Sequence, residues 1–198
     1  MLSASIKVAT GNVVYFFTNI MLNLLLKIIK TPNTIIPAPV DNQEQAEIIV
    51  LGEKIQEKVK KLFGGSLAIR QVSAGSDNSA EQELVALGNA YYDVERFGIH
   101  FVASPKHADM LMVTGPITHN MAEALRRSYD NTPDPKIVVA VGDDAIDGGI
   151  FKDSYAVKGG VGAVIPVHYG IPGNPPSPKT VITHLLKILE TEEKKKNN

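Results

Sequence analysis

Apolar residues along this chain fall into two patterns. In short, mostly apolar runs rich in β-branched and small residues, almost every position is hydrophobic; in longer stretches, apolar residues recur at every third or fourth position. The first pattern predicts strands buried on both faces, the second helices with one apolar face. Runs at Leu67–Val72, Ile99–Ala103, Met110–Thr114, Ile137–Val141 and Val164–Val167 predict five strands. Ile137–Val141 is expected to be the central one. It ends at Gly142 and opens into a loop carrying Asp143, Asp144 and Asp147. In open α/β sheets, ligands sit just beyond the carboxyl ends of such strands.

Between the runs lie helical periods. Ile48, Leu51, Ile55, Val59 and Leu62 predict a helix from Asp41, its cap, to about Phe63, with Lys58, Lys60 and Lys61 near its C-terminal end and Gly64-Gly65 ending it. Further helices are expected over Glu81 to about Gly88, Asn120–Tyr129 and Thr180–Glu190, the last with Val181, Leu185 and Leu189 on one face. Alternating strands and helices imply right-handed crossovers and an α/β fold, a doubly wound parallel sheet with helices on both faces. Residues 41–190 form that domain, 1–40 precede it, and 191–198 are a charged tail expected to fray.

Val13–Ile29 is the most apolar stretch, but it falls short of the about 20 residues a spanning helix needs and is broken by Thr18, Asn19, Asn23 and Lys27. A helix lying against a membrane or a membrane subunit fits better, with Leu22, Leu25, Leu26 and Ile29 on one face and Lys27 and Lys30 at its end. A cleaved signal peptide is not expected: Lys7 is the only early positive charge and no clear cleavage site follows. Met21 is an alternative start. Thr31–Val40, with three prolines, reads as an extended tether.

A net charge of −1 gives no sign of a nucleic-acid surface. The chain has no cysteine, which excludes disulfides, thiol catalysis and thiolate-held metals. No G-x-S-x-G elbow is present, and no histidine among His100, His107, His119, His168 and His184 has a partner at i+4 for a zinc helix. The glycines at 159, 160 and 162 precede a predicted strand instead of following one, so they are no dinucleotide fingerprint. Asp143, Asp144 and Asp147 lack the spacing of an EF-hand. Ser73–Ala80 is a polar turn between strand and helix without a phosphate-loop motif, and Asp77 or Ser79 is expected to cap the helix. In a doubly wound sheet the loops after strands one, four and five share an edge, which draws Asp77, Asp144 and Asn174 together. Three such oxygen side chains can hold a hard cation or form a polar seam against a partner.

Four stretches carry a family resemblance: AGSDNSAEQELVAL, YYDVERFGIHFVASPKHADMLMVTGPITHNM, YDNTPDPKIVVAVGDDAIDGGIFKDSYAV and VIPVHYGIPGNPPSP. From about Met21 to Ile188 the chain resembles the small, cluster-bearing subunit of group 4 membrane-bound NiFe hydrogenases, the family that includes the 20 kDa (PSST-type) B subunit of respiratory complex I. The resemblance implies a flavodoxin-like sheet. It also implies a 4Fe-4S cluster held by four cysteines, two in a C-x-x-C pair after the first strand, one after the central strand and one after the last. Those positions here are Asp77, Ala80, Asp144 and Asn174. Clusters need soft sulfur ligands, so none is expected, and no catalytic residue is assigned.

The framework glycines and prolines persist: Gly75, Gly142, Gly148, Gly149, Pro172, Gly173, Pro175 and Pro176. The expectation is therefore a cluster-less, structural subunit on the cytoplasmic face of a membrane. Its partners would be a large chain like the NiFe-bearing hydrogenase subunit or the D subunit of complex I, and the membrane subunits. The alternative is a redox or metal-binding subunit with non-cysteine ligands at Asp77, Asp144 and Asn174. A free flavin binder is more distant, since no phosphate loop or aromatic sandwich is evident.

Overall fold

The computed structural model describes residues 21–30 and 42–197. The expected cap Asp41, the tether and residues 13–20 of the apolar stretch lie outside them. The chain divides into two units, Met1–Val40 and Asp41–Asn198. In the first, residues 21–30 form helix α1, whose Leu22, Leu25, Leu26 and Ile29 are all exposed. Among the described residues, no helix is long and apolar enough to cross a membrane.

The second unit is built on five parallel strands: β1 (Leu67–Ser73), β2 (Ile99–Phe101), β3 (Met110–Thr114), β4 (Ile137–Val141) and β5 (Tyr169–Ile171), in the order β2-β1-β3-β4-β5. Its helices are α2 (Asn42–Phe63), α3 (Ser79–Ala86), α4 (His119–Asp130), α5 (Asp143–Asp147) and α6 (Pro178–Asn197). The middle strand is β3, buried at every position, and not β4 as expected. The two runs look alike because both are covered on both faces. Met110, Met112, Val139 and Val141 face one core, shared with α2, α3 and α6. Leu111, Val113, Val138 and Ala140 face the other, shared with α4 and α5. With side chains alternating across a strand, two cores demand an unbroken apolar run.

Three predicted elements differ. The segment after Gly142 is not a loop: Asp143–Asp147 is a short helix, with Ala145 buried in the second core. The last strand is not Val164–Val167 but Tyr169–Ile171. Pro166 has no N–H to give a ladder, and Ile165 drops into the second core. Pairing starts at His168, whose N–H donates to Val138 O (2.9 Å) while its Nδ1 accepts from Val138 N–H (2.9 Å). The charged tail is helical to Asn197. Glu193 takes Lys58 Nζ (2.6 Å) and Lys61 Nζ, tying α6 to the end of α2, and Glu192 accepts from Tyr169 Oη (2.5 Å).

Candidate functional site

The strands' carboxyl ends all point the same way, so the loops after β1, β4 and β5 meet at one edge, and they meet at Gly142. Its φ of 93° suits glycine. A side chain there would put its Cβ 3.3 Å from Gly173 O and 4.0 Å from Ala80 Cβ. Gly142 N–H donates to Ile171 O (2.8 Å) and Asp143 N–H to Gly173 O (2.9 Å). Asp143 Oδ1 accepts in return from Gly173 N–H (2.9 Å), which latches the β4 and β5 loops together. Sequence reasoning put Asp143 in a loop without a role; its partner lies 30 residues away, and no local signal reveals it.

Of the four singled-out positions, Asp77 and Asn174 are exposed, while Ala80 and Asp144 are buried. Asp77 Oδ1 accepts from Ser79 N–H (2.9 Å) and Ser79 Oγ–H (2.6 Å). These bonds hold its carboxyl below the usual carboxylate range. It thus closes the turn at the first helical residue, whereas the cap position itself belongs to Asn78, in a left-handed conformation without a side-chain bond. Asp144 is the opposite case. It is 8% exposed, and its Oδ1 makes no hydrogen bond. That oxygen lies 1.7 Å from where a Cβ on Gly149 would be, so only glycine at 149 leaves room for it. Burial, and then the charges of Asp77, Asp143 and Asp147, push its carboxyl up. The charge of Asp77 thus reaches Asp144.

Beneath them is a buried acid that sequence reasoning missed. Glu81, 8% exposed, accepts from Ser76 Oγ–H (2.5 Å) and from the buried Thr114 Oγ1–H (2.5 Å). It braces the β1 turn against the end of β3. A signal existed: Glu81 stands three residues before Leu84, on the face of α3 that carries Ala80, Leu84 and Leu87 inward. Of the histidines, His100, His107 and His119 are exposed, while His168 and His184 bond to backbone.

These donors do not fit a 4Fe-4S cluster. Ala80 offers no ligand atom, Asp77 Oδ1 is engaged in its own turn, and Asp144 Oδ1 is packed against Gly149. A hard-cation group is not assembled from acids either: among the described residues, no three His, Asp or Glu side chains are placed to hold a metal. The edge also carries apolar surface. Ile150 (83%) and Tyr155 (96%) are exposed on the segment that follows α5, beside partly exposed Ile146 and Phe151.

Residues 78–188 match the family model described as the 20 kDa subunit of NADH ubiquinone oxidoreductase. The chain is 38% identical over 138 residues to the probable membrane-bound hydrogenase subunit mbhJ of Pyrococcus furiosus, covering 70% of this chain and 83% of that protein. It is 50% identical over 107 residues to the B subunit of NADH-quinone oxidoreductase from Bacteroides thetaiotaomicron, covering 54% of each. A chain in the structure of the archaeal membrane-bound sulfane sulfur reductase, a respiratory membrane complex, matches with a TM-score of 0.58 and 33% identity, covering 70% of this chain and 74% of that one.

Proposed function

The chain belongs to the family of the 20 kDa subunit of NADH ubiquinone oxidoreductase, and from that premise we propose that it is the structural counterpart of the electron-transfer subunit in a membrane-bound hydrogenase-like or NADH-quinone oxidoreductase-like complex. It holds no 4Fe-4S cluster and docks its partners without passing electrons. One observation carries this: the three loops that would cradle a cluster are kept, those after β4 and β5 latched together, while Ala80 and three oxygen side chains stand where thiolates would be needed.

The docking face is the carboxyl edge of the sheet, where Ile150, Phe151 and Tyr155 expose apolar surface next to the acidic cluster. Its partner is a large chain like the NiFe-bearing hydrogenase subunit or the D subunit of complex I. The apolar α1 supports peripheral attachment to a membrane or to membrane subunits, on the cytoplasmic side.

The test is iron and acid-labile sulfide, with the visible spectrum, on anaerobically purified protein. No iron and no visible band are expected; a cluster near stoichiometry would make the chain an electron carrier with non-cysteine ligands. A melting temperature that rises with magnesium or calcium, and no longer does so in the Asp77→Ala/Asp144→Ala variant, would replace this reading with a cation site on Asp77, Asp144 and Asn174.

A further inference from the structure

At the β2 side of the same sheet lies a cavity of about 330 Å³, between the end of β2, β1 and the C-terminal half of α3. Leu84, Val85, Phe101 and Val102 line it, together with Arg70 of β1. Its lining is mostly apolar, and Val85 (67% exposed) and Phe101 (36%) sit at its open rim. Arg70 sets it apart. The Arg70 side chain is half-buried, its Nε is buried without a hydrogen bond, and no hydrogen bond or ion pair of that side chain is found among the described residues.

Native proteins rarely leave such a donor unpaired, because that N–H has lost its water and gained nothing in return. Other cations in buried or half-buried settings have partners: Lys58 has Glu193, and Lys136 reaches the carbonyls of Tyr129 and Thr132. A guanidinium presents a planar fork of N–H donors, which matches the two oxygens of a carboxylate. The walls around it match a short apolar body, and the volume is at the small end of ligand pockets.

We propose that this cavity is a binding site for a carboxylate carried on a short apolar body, paired with Arg70 and seated on Leu84, Val85 and Phe101. The same chemistry can come from a free short-chain acid or from an acidic side chain of a neighbouring subunit. The cavity is walled by the C-terminal half of α3, the helix that carries Ala80 and Glu81 at its other end.

The full chain, labelled with nitrogen-15 and kept in mild detergent, is titrated with hexanoate, with hexanamide as the uncharged control, and with acetyl-Leu-Glu-amide. The Arg70 Nε–Hε signal, assigned by its loss in Arg70→Lys, is the readout. Hexanoate or the dipeptide is expected to move it saturably and hexanamide is not. Arg70→Gln, followed through the neighbouring backbone signals of Gln71 and Phe101, should weaken binding about tenfold or more, the loss of one charge-assisted pair. Val85→Trp at the exposed rim should block binding with Arg70 intact. Tighter binding of hexanoate identifies a free acid, and tighter binding of the dipeptide identifies a neighbouring chain's acidic residue. No movement with either carboxylate, or equal movement with hexanamide, overturns the proposal.

Discussion

Asp144 is an acidic side chain buried at the carboxyl edge of the sheet, and its surroundings set the cost of its charge. The carboxyl is buried against Gly149 with one oxygen unbonded, in a cluster with three other aspartates. Burial and like charge both favour its protonated form, so its folded pKa lies above the unfolded value near 3.8. The native state then binds a proton that the unfolded chain has already lost. Below 3.8 both states are protonated and the side chain costs nothing through charge; as the pH rises through the folded value, the cost of the buried charge appears. Asp144→Asn should therefore stabilise the protein by about 1 kcal/mol at pH 7, or ~2–4 °C in Tm for a domain of this size. The gain should fade as the pH is lowered to about 4. Thermal melts of both proteins across that range decide it; an equal gain at every pH, or a loss at pH 7, would show that Asp144 is not held as a buried charge. Little of this was legible in the sequence. Topology alone placed Asp77, Asp144 and Asn174 at one edge, but the burial of Asp144 depends on Gly149 and on a helix too short to show a period.

At the scale of elements, strands were legible where one physical demand governed them. The runs of β3 and β4 are apolar because the sheet is covered on both faces there, and their bounds, like those of β1 with its half-buried Arg70 and Gln71, can be read within a residue. The β5 run misled because two demands compete in it: Ile165 is apolar for a core contact outside the sheet, whereas Tyr169–Ile171 pairs with β4 through only one buried side chain. The end of α6 misled for a similar reason. A run of lysines and glutamates reads as a solvated tail, and only the folded chain shows that Glu193 meets Lys58 and Lys61 across 132 residues or more. Those partners hold the Glu193 carboxyl down, from 4.5 to about 2. A depressed acid contributes stability that is complete above its unfolded value and lost as the pH falls through the folded one. Glu193→Gln should lower Tm near neutral pH. The gap to the parent should close between about pH 5 and pH 2, because the parent loses the contribution the variant never had. A gap that stays constant down to about pH 2 would mean the pair does not couple α2 to α6.

For the whole molecule, the question is whether the carboxyl edge is a ruin or a frame. If only the ligands have been lost, the latch of Asp143 with Gly173 and the brace of Glu81 between the β1 turn and the end of β3 still hold the three loops at the positions a cluster needs. Putting thiolates back at those positions should then suffice. The quadruple variant Asp77→Cys, Ala80→Cys, Asp144→Cys, Asn174→Cys, reconstituted anaerobically with iron and sulfide, is expected to take up one 4Fe-4S cluster and show its visible absorption, while the parent treated identically stays colourless. The variant that restores only the three oxygen-bearing positions and leaves Ala80 should hold a cluster poorly, since one iron then lacks its protein ligand. Adding Glu81→Ala to the quadruple variant, which frees Thr114 and Ser76 from their acceptor, should loosen the β1 loop and reduce uptake further. If the quadruple variant folds, as circular dichroism would report, yet binds no cluster, the loops have drifted from that geometry. The edge would then be maintained for the partner surface formed by Ile150, Phe151 and Tyr155, and the glycines and prolines around it would answer to docking alone.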